Sequence, residues 1–181
     1  MGVSVSLEFT ERDLRFFRQA IRKARNTVRG GDEAEIVEAV RGALAGIRSA
    51  GRLPDFVTAR LPELETMIDM LEDREWRLPK PDREQLLATF VYFGDPEDII
   101  PDDIPAIGFL DDLILIELLL RDFRHVREAY ADFCRYRKEL GRSPSRVGGS
   151  NGAAERLAAK RKQLQARMQR RRTRERGTVL R

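Results

Sequence analysis

At 181 residues, 41% hydrophobic and 35% charged, the chain has material for one core with an appendage rather than for several domains. One cysteine, Cys134, and one histidine, His125, exclude an internal disulfide and His- or Cys-rich zinc sites, while Asp102, Asp103, Asp111, Asp112 and Glu117 break the one stretch, Ile99 to Leu120, that approaches a membrane span. The net +4 conceals a split: residues 142–181 hold 13 Lys+Arg against Glu155 and Glu175, net +11, which leaves residues 1–141 at net −7 and predicts an acidic body with a basic interaction tail.

The N-terminus, MGVSVSLEFTERD, has neither the basic flank nor the apolar stretch of a secretory signal. Met1, Gly2 and Ser6 match the loose M-G-x-x-x-S myristoylation pattern. With 29 arginines against five lysines, the composition looks like that of a GC-rich bacterial genome, which argues against that modification. Cytoplasmic residence, in part peripheral at the membrane, is expected.

Thr10 caps a first predicted helix bearing Leu14, Phe17, Ile21, Ala24 and Val28 at helical spacing, ended by Gly30 and Gly31. Asp32 opens a second, with Ile36, Val40, Ala43, Leu44 and Ile47 on one face. Pro54 and Pro62 fit first helical positions, the latter ahead of Leu64, Met67, Ile68 and Leu71. Trp76 falls in the connector EDREWRLPKP. Pro81 and Asp82 then start a helix with Leu86, Leu87, Phe90 and Val91 inward, stopped by Gly94 and Pro96.

Next comes DPEDIIPDDIPAIGFLDDLILIELLL, six aspartates and three prolines ahead of the most apolar run of the chain. Proline pushes Asp95, Ile100 and Ile104 out of helical geometry and predicts a kinked acidic loop. Asp111 and Asp112 follow at a helix start, where negative charge suits the exposed amides. A single long helix is predicted from Phe109 to Leu140, about 48 Å if continuous. Its first half is apolar almost all round and its second carries a stripe of Phe123, Val126, Tyr130 and Phe133, with His125, Arg124, Arg127, Arg135, Arg137 and Lys138 facing solvent. The segment RSPSRVGGSNG reads as a linker. The tail beyond favours helix by composition, but Leu157, Leu164 and Met168 make a thin stripe, so it is expected to order on a partner.

Three groups of residues carry candidate chemistry. Asp98, Asp102, Asp111 and Asp112 supply the hard oxygens that Mg²⁺ or Ca²⁺ prefers, without the D-x-D-x-D-G spacing of a calcium loop; capping and turn formation explain them more simply. No cofactor is required by the sequence. Glu117, within LILIELLL, reads as a buried carboxylate, with Arg121 four residues on as its ion-pair partner. In the tail, Arg156, Lys160, Arg161, Lys162, Arg167, Arg170, Arg171, Arg172, Arg174 and Arg176 form a polyanion-binding array. Nucleic acid, an anionic lipid surface or an acidic protein would suit it, each basic residue being worth about 1 kcal/mol beside a bilayer. The tail has no aromatic residue, which leaves simple electrostatics rather than base stacking or deep insertion.

At YFGDPEDIIPDDIPAIGFLDDLILIELLLRDF the chain resembles the YkvA-like family (domain of unknown function 1232), a bacterial family whose core reads roughly Y-x-x-x-P-x-D-x-I-P-D-x-I-P-x-x-G-x-x-D-D. Tyr92, Pro96, Asp98, Ile100, Pro101, Asp102, Ile104, Pro105, Gly108, Asp111 and Asp112 match it in register. The resemblance covers about forty residues, with looser similarity back through the Trp76 region. It implies a small helical domain and no established activity or cofactor. Many members carry apolar helices that suggest membrane association, and Asp103 and Glu117 depart from that pattern here.

The expected fold is all-α: a compact bundle of about five helices around a long central one, with a helical or disordered basic C-terminal tail. Expected boundaries are a helical hairpin over 1–52, a YkvA-like helical domain over 53–141, a flexible linker over 142–152 and the basic tail over 153–181. The expected function is non-enzymatic binding through that tail. The alternatives are a metal-dependent enzyme at the aspartates and a docking or homo-oligomeric module using the apolar stripe beyond Phe123.

Overall fold

The computed structural model describes residues 15, 32–49, 58–93, 110–142 and 150–179. Most of the first predicted helix with its Thr10 cap, the Pro54 turn, the acidic proline loop and residues 143–149 of the predicted 142–152 linker lie outside them, while Arg142 and Ser150 to Gly152, at the ends of that linker, are helical. Six helices make up the described chain: α1 (Glu33–Ser49), α2 (Leu61–Glu72), α3 (Lys80–Phe93), α4 (Leu110–Asp122), α5 (Arg124–Arg142) and α6 (Ser150–Val179). Among the described residues there is no strand, so the all-α expectation holds.

The helices fall into two compact units. One contains α1, α3 and α4 as far as Ile116. Asp32 caps α1 through its Oδ1, which accepts from the amide of Ala34 at 2.9 Å. The buried face of α1 is Val37, Val40 and Leu44. Ile36 and Ala43 are only half-buried, so the face is rotated from the predicted stripe, while the Ile47 side chain lies outside the described set. α1 packs on α3, and the first turns of the two helices are joined by Arg83, whose Nε donates to Glu33 Oε2 at 2.9 Å. α3 buries Leu86, Leu87, Ala88, Thr89 and Phe90 in succession. A helix enclosed all round needs no alternation of polar and apolar faces.

The other unit contains α2, the connector from Asp73 to Pro79, the end of α4, α5 and α6. α2 turns Leu64, Met67, Ile68 and Leu71 inward as predicted and adds Met70. The long helix predicted from Phe109 to Leu140 is interrupted at Phe123, between α4 and α5. The bonds from Phe123 N to Leu119 O and from Arg127 N to Phe123 O, both 2.9 Å, carry across the interruption. Phe123 is where a run apolar almost all round gives way to a narrow stripe, and it is fully buried. The longest helix is instead α6, 30 residues and about 45 Å.

α6 is docked on α5 within its own unit. Leu157, Leu164 and Met168 are buried along it at spacings of seven and four, a seam of heptad type. The ordering partner expected for the tail is therefore the chain's own α5. The stripe Phe123, Val126, Tyr130 and Phe133, which the alternative of a docking or homo-oligomeric module would use, is also buried.

Candidate functional site

The polyanion-binding candidates lie on α6, and their surroundings follow from how α6 meets α5. Between the two helices runs a ladder of charge. Arg171 donates to Glu128 Oε2 at 2.5 Å, and Arg167 pairs with Asp132. His125 Nε2 donates to Glu175 Oε2 at 2.7 Å, and Arg124 pairs with the other oxygen of that carboxylate. Farther along, the Lys160 ammonium lies 5.3 Å from the centre of the Tyr136 ring. Positions 125, 128, 132 and 136 thus meet 175, 171, 167 and 160, so the helices run antiparallel. Spacings of three and four on each helix keep every partner on one face.

His125 overturns an expectation here. Predicted to face solvent, it is 6% exposed. The stripe of α5 is widened by α6, which covers the flank that carries His125. The carboxylate of Glu175 is held below its ordinary range, first by the His125 hydrogen bond and then by the charges of Arg124 and Arg171. His125 Nδ1 is 3.8 Å from Glu128 Oε2, so the imidazole stands between two carboxylates.

A second cluster holds the other end of α6 against the connector after α2. Asp73 Oδ1 accepts from the amides of Glu75 and Trp76, each at 2.9 Å, folding the chain into a turn around its own carboxylate. Asp73 Oδ2 accepts from the Tyr130 hydroxyl at 3.1 Å and from Arg137 at 2.8 Å. Burial raises the Asp73 pKa, but the two amides and Arg137 outweigh it, and the net direction is down. Tyr130 is driven upward, by burial first and then by Cys134 and Asp73, and stays a donor. Arg137 also bonds Glu75 Oε2 at 2.9 Å; those acids raise its pKa despite its burial.

This turn sets Trp76 at the centre of the unit, 0% exposed, with Tyr130 and Phe133 tilted against it at 5.7 and 5.3 Å between ring centres. Arg77 then adopts φ 50°, a left-handed conformation that costs a non-glycine residue about 1–2 kcal/mol. The reversal aims the carbonyls of Trp76 and Arg77 at Gln165, whose Nε2 donates to them at 3.0 and 3.1 Å. Arg161 donates to the carbonyl of Glu75 at 2.9 Å.

Of the ten predicted polyanion-binding residues, Lys160, Arg161, Arg167 and Arg171 therefore have partners within the chain. Lys162 and Arg170 are exposed, on the flank of α6 away from Leu164 and Met168. Arg156, Arg172 and Arg174 also engage other groups, and the Arg176 side chain lies outside the described set. Sequence reasoning missed Trp76, Asp73, Gln165, Glu128 and Asp132. The acids at 128 and 132 and the arginines at 167 and 171 share a four-residue spacing, and that match was the available signal.

The aspartate candidates are placed only in part. Asp111 and Asp112 fall in the first turn of α4; their side chains, and the whole of Asp98 and Asp102, lie outside the described set. Among the described residues no group of three or more His, Cys, Asp or Glu converges to hold a metal ion. Glu117 is exposed, which removes the case for a costly buried carboxylate. Among the described residues no helix is long and apolar enough to cross a membrane.

Residues 85–118, from within α3 to within α4, match the family described as Protein of unknown function (DUF1232). The match takes in the acidic proline segment that carries the YkvA-like resemblance. Comparison with curated proteins and with solved structures gives no match.

Proposed function

We propose that this is a non-enzymatic binding or adaptor protein that engages an anionic partner, a membrane surface or nucleic acid, through α6. The observation that carries the reading is the concentration of charge: net +11 over residues 142–181, much of it on one helix whose exposed flank presents Lys162 and Arg170. Arginine suits phosphate because its planar fork donates two parallel hydrogen bonds to one group. Binding of this kind releases counterions and weakens steeply with salt.

Deleting the tail is a poor test, because Leu157, Leu164 and Met168 would leave the core with it. The better variant is Lys162→Gln with Arg170→Gln, which changes charge at exposed positions only. Retention on anionic vesicles and on duplex DNA, followed across a salt series, should fall and show a shallower salt slope than the unchanged chain. Equal retention and equal slope would sink the proposal.

A further inference from the structure

Resting on the reading of α6 as the anion-binding element, we propose that α6 is a masked nucleic-acid-binding helix. The carboxylates of Glu128 and Asp132 occupy the guanidinium groups of Arg171 and Arg167 in the place of backbone phosphates, and duplex nucleic acid gains those groups by exchange.

The two acids lie four residues apart on α5, about 6 Å along its axis, and meet arginines at the same spacing on α6. A pair of anions thus already occupies the site that a phosphate chain would seek. These contacts are open to solvent: Arg167 and Arg171 are 48% and 47% exposed, Asp132 and Glu128 30% and 43%. A phosphate can reach the guanidinium without dismantling the core, and the displaced carboxylate passes into water. The Arg137–Asp73 pair differs, because the Asp73 side chain is 8% exposed and is also bonded to two amides and Tyr130. Exchange is therefore confined to the seam.

Two observations favour nucleic acid over a bilayer. A surface-lying membrane helix needs a free apolar face, but Leu157, Leu164 and Met168 are buried. The exposed described residues of α6 include nothing apolar larger than alanine. What remains is a rod about 45 Å long carrying guanidinium groups, which suits a linear polyanion bound by charge alone.

The test measures binding of a short labelled DNA duplex to the full chain by fluorescence anisotropy. Glu128→Gln with Asp132→Asn is compared with the unchanged chain and with Asp69→Asn plus Glu139→Gln, two exposed acids that match the charge change. Unmasking predicts about tenfold tighter binding for the seam variant than for the matched control, the worth of one charge-assisted contact. Equal affinity for the two variants overturns the masking while leaving α6 as a binding element. Retention on phosphatidylserine vesicles with none on DNA overturns the choice of nucleic acid. Binding to neither, by any of the three proteins, removes the proposed function itself.

Discussion

The Trp76 turn and the α5–α6 ladder both hold α6 in place, and they do so by different physics. Around Trp76 the ring contacts are apolar and enclosed, and the buried anion, Asp73, is surrounded by fixed donors. Along the ladder the Arg167–Asp132 and Arg171–Glu128 pairs are ionic, with side chains 30% to 48% exposed. Enclosed contacts resist salt and fail only when the unit unfolds, whereas exposed ion pairs are worth about 0–1 kcal/mol and can exchange partners. The apolar seam of α6 and its contact at Gln165 are anchored, and the exposed arginine pairs are negotiable, as they must be if they are to trade internal carboxylates for an external anion.

The largest effect should come from the anchor. Trp76→Ala removes a fully buried indole and leaves Tyr130 and Phe133 facing a void, at an expected cost of about 3–5 kcal/mol in denaturant unfolding. A loss below about 1 kcal/mol, in the range of an ordinary surface change, would show that the turn is no anchor.

Asp73→Asn sharpens the comparison through pH. The folded pKa of Asp73 is depressed, so its contribution is present above the unfolded value, about 3.9, and is lost as pH falls through the folded one. The unchanged protein should lose stability steeply in acid, and the variant, which keeps an oxygen for the two amides but loses the charge facing Arg137, should show a flatter acid limb. Its cost near neutral pH should be about 1–2 kcal/mol, since Arg137 is itself partly exposed. Parallel acid limbs would assign the acid sensitivity to other groups.

Helices were legible where one stripe or one cap sufficed: the Asp32 cap, Pro62, and the inward set Leu64, Met67, Ile68 and Leu71. The turn around Trp76 was not, because a connector has no period and its geometry is set by a carboxylate folding back on its own amides. The docking of α6 was hidden for another reason. Three large residues, Leu157, Leu164 and Met168, make too thin a stripe in 30 to hold a helix, and the rest of the hold comes from a charge match between segments 35 to 43 residues apart. Judging each segment alone made the basic residues look like a free tail and His125 like a surface residue. The segment that matches the family of unknown function, by contrast, announced itself through its prolines and aspartates, and the match names no reaction.

The smallest expected effect is also the one that divides the two regions most sharply. Raising salt to about 1 M shortens the screening length to roughly 3 Å and should weaken the pairs of Arg167 with Asp132 and of Arg171 with Glu128, by no more than about 1 kcal/mol in all. Apolar contacts around Trp76 are not weakened by screening. Hydrogen exchange should therefore report faster opening of α6 from Arg167 to Glu175, while α2 and the amides of Glu75 and Trp76 keep their protection. The same local loosening is expected at low salt in Glu128→Gln with Asp132→Asn, and salt should then add little to it. If protection falls equally over α2 and α6, the unit opens as one body, and exchange of the α6 arginines would require unfolding the anchor as well.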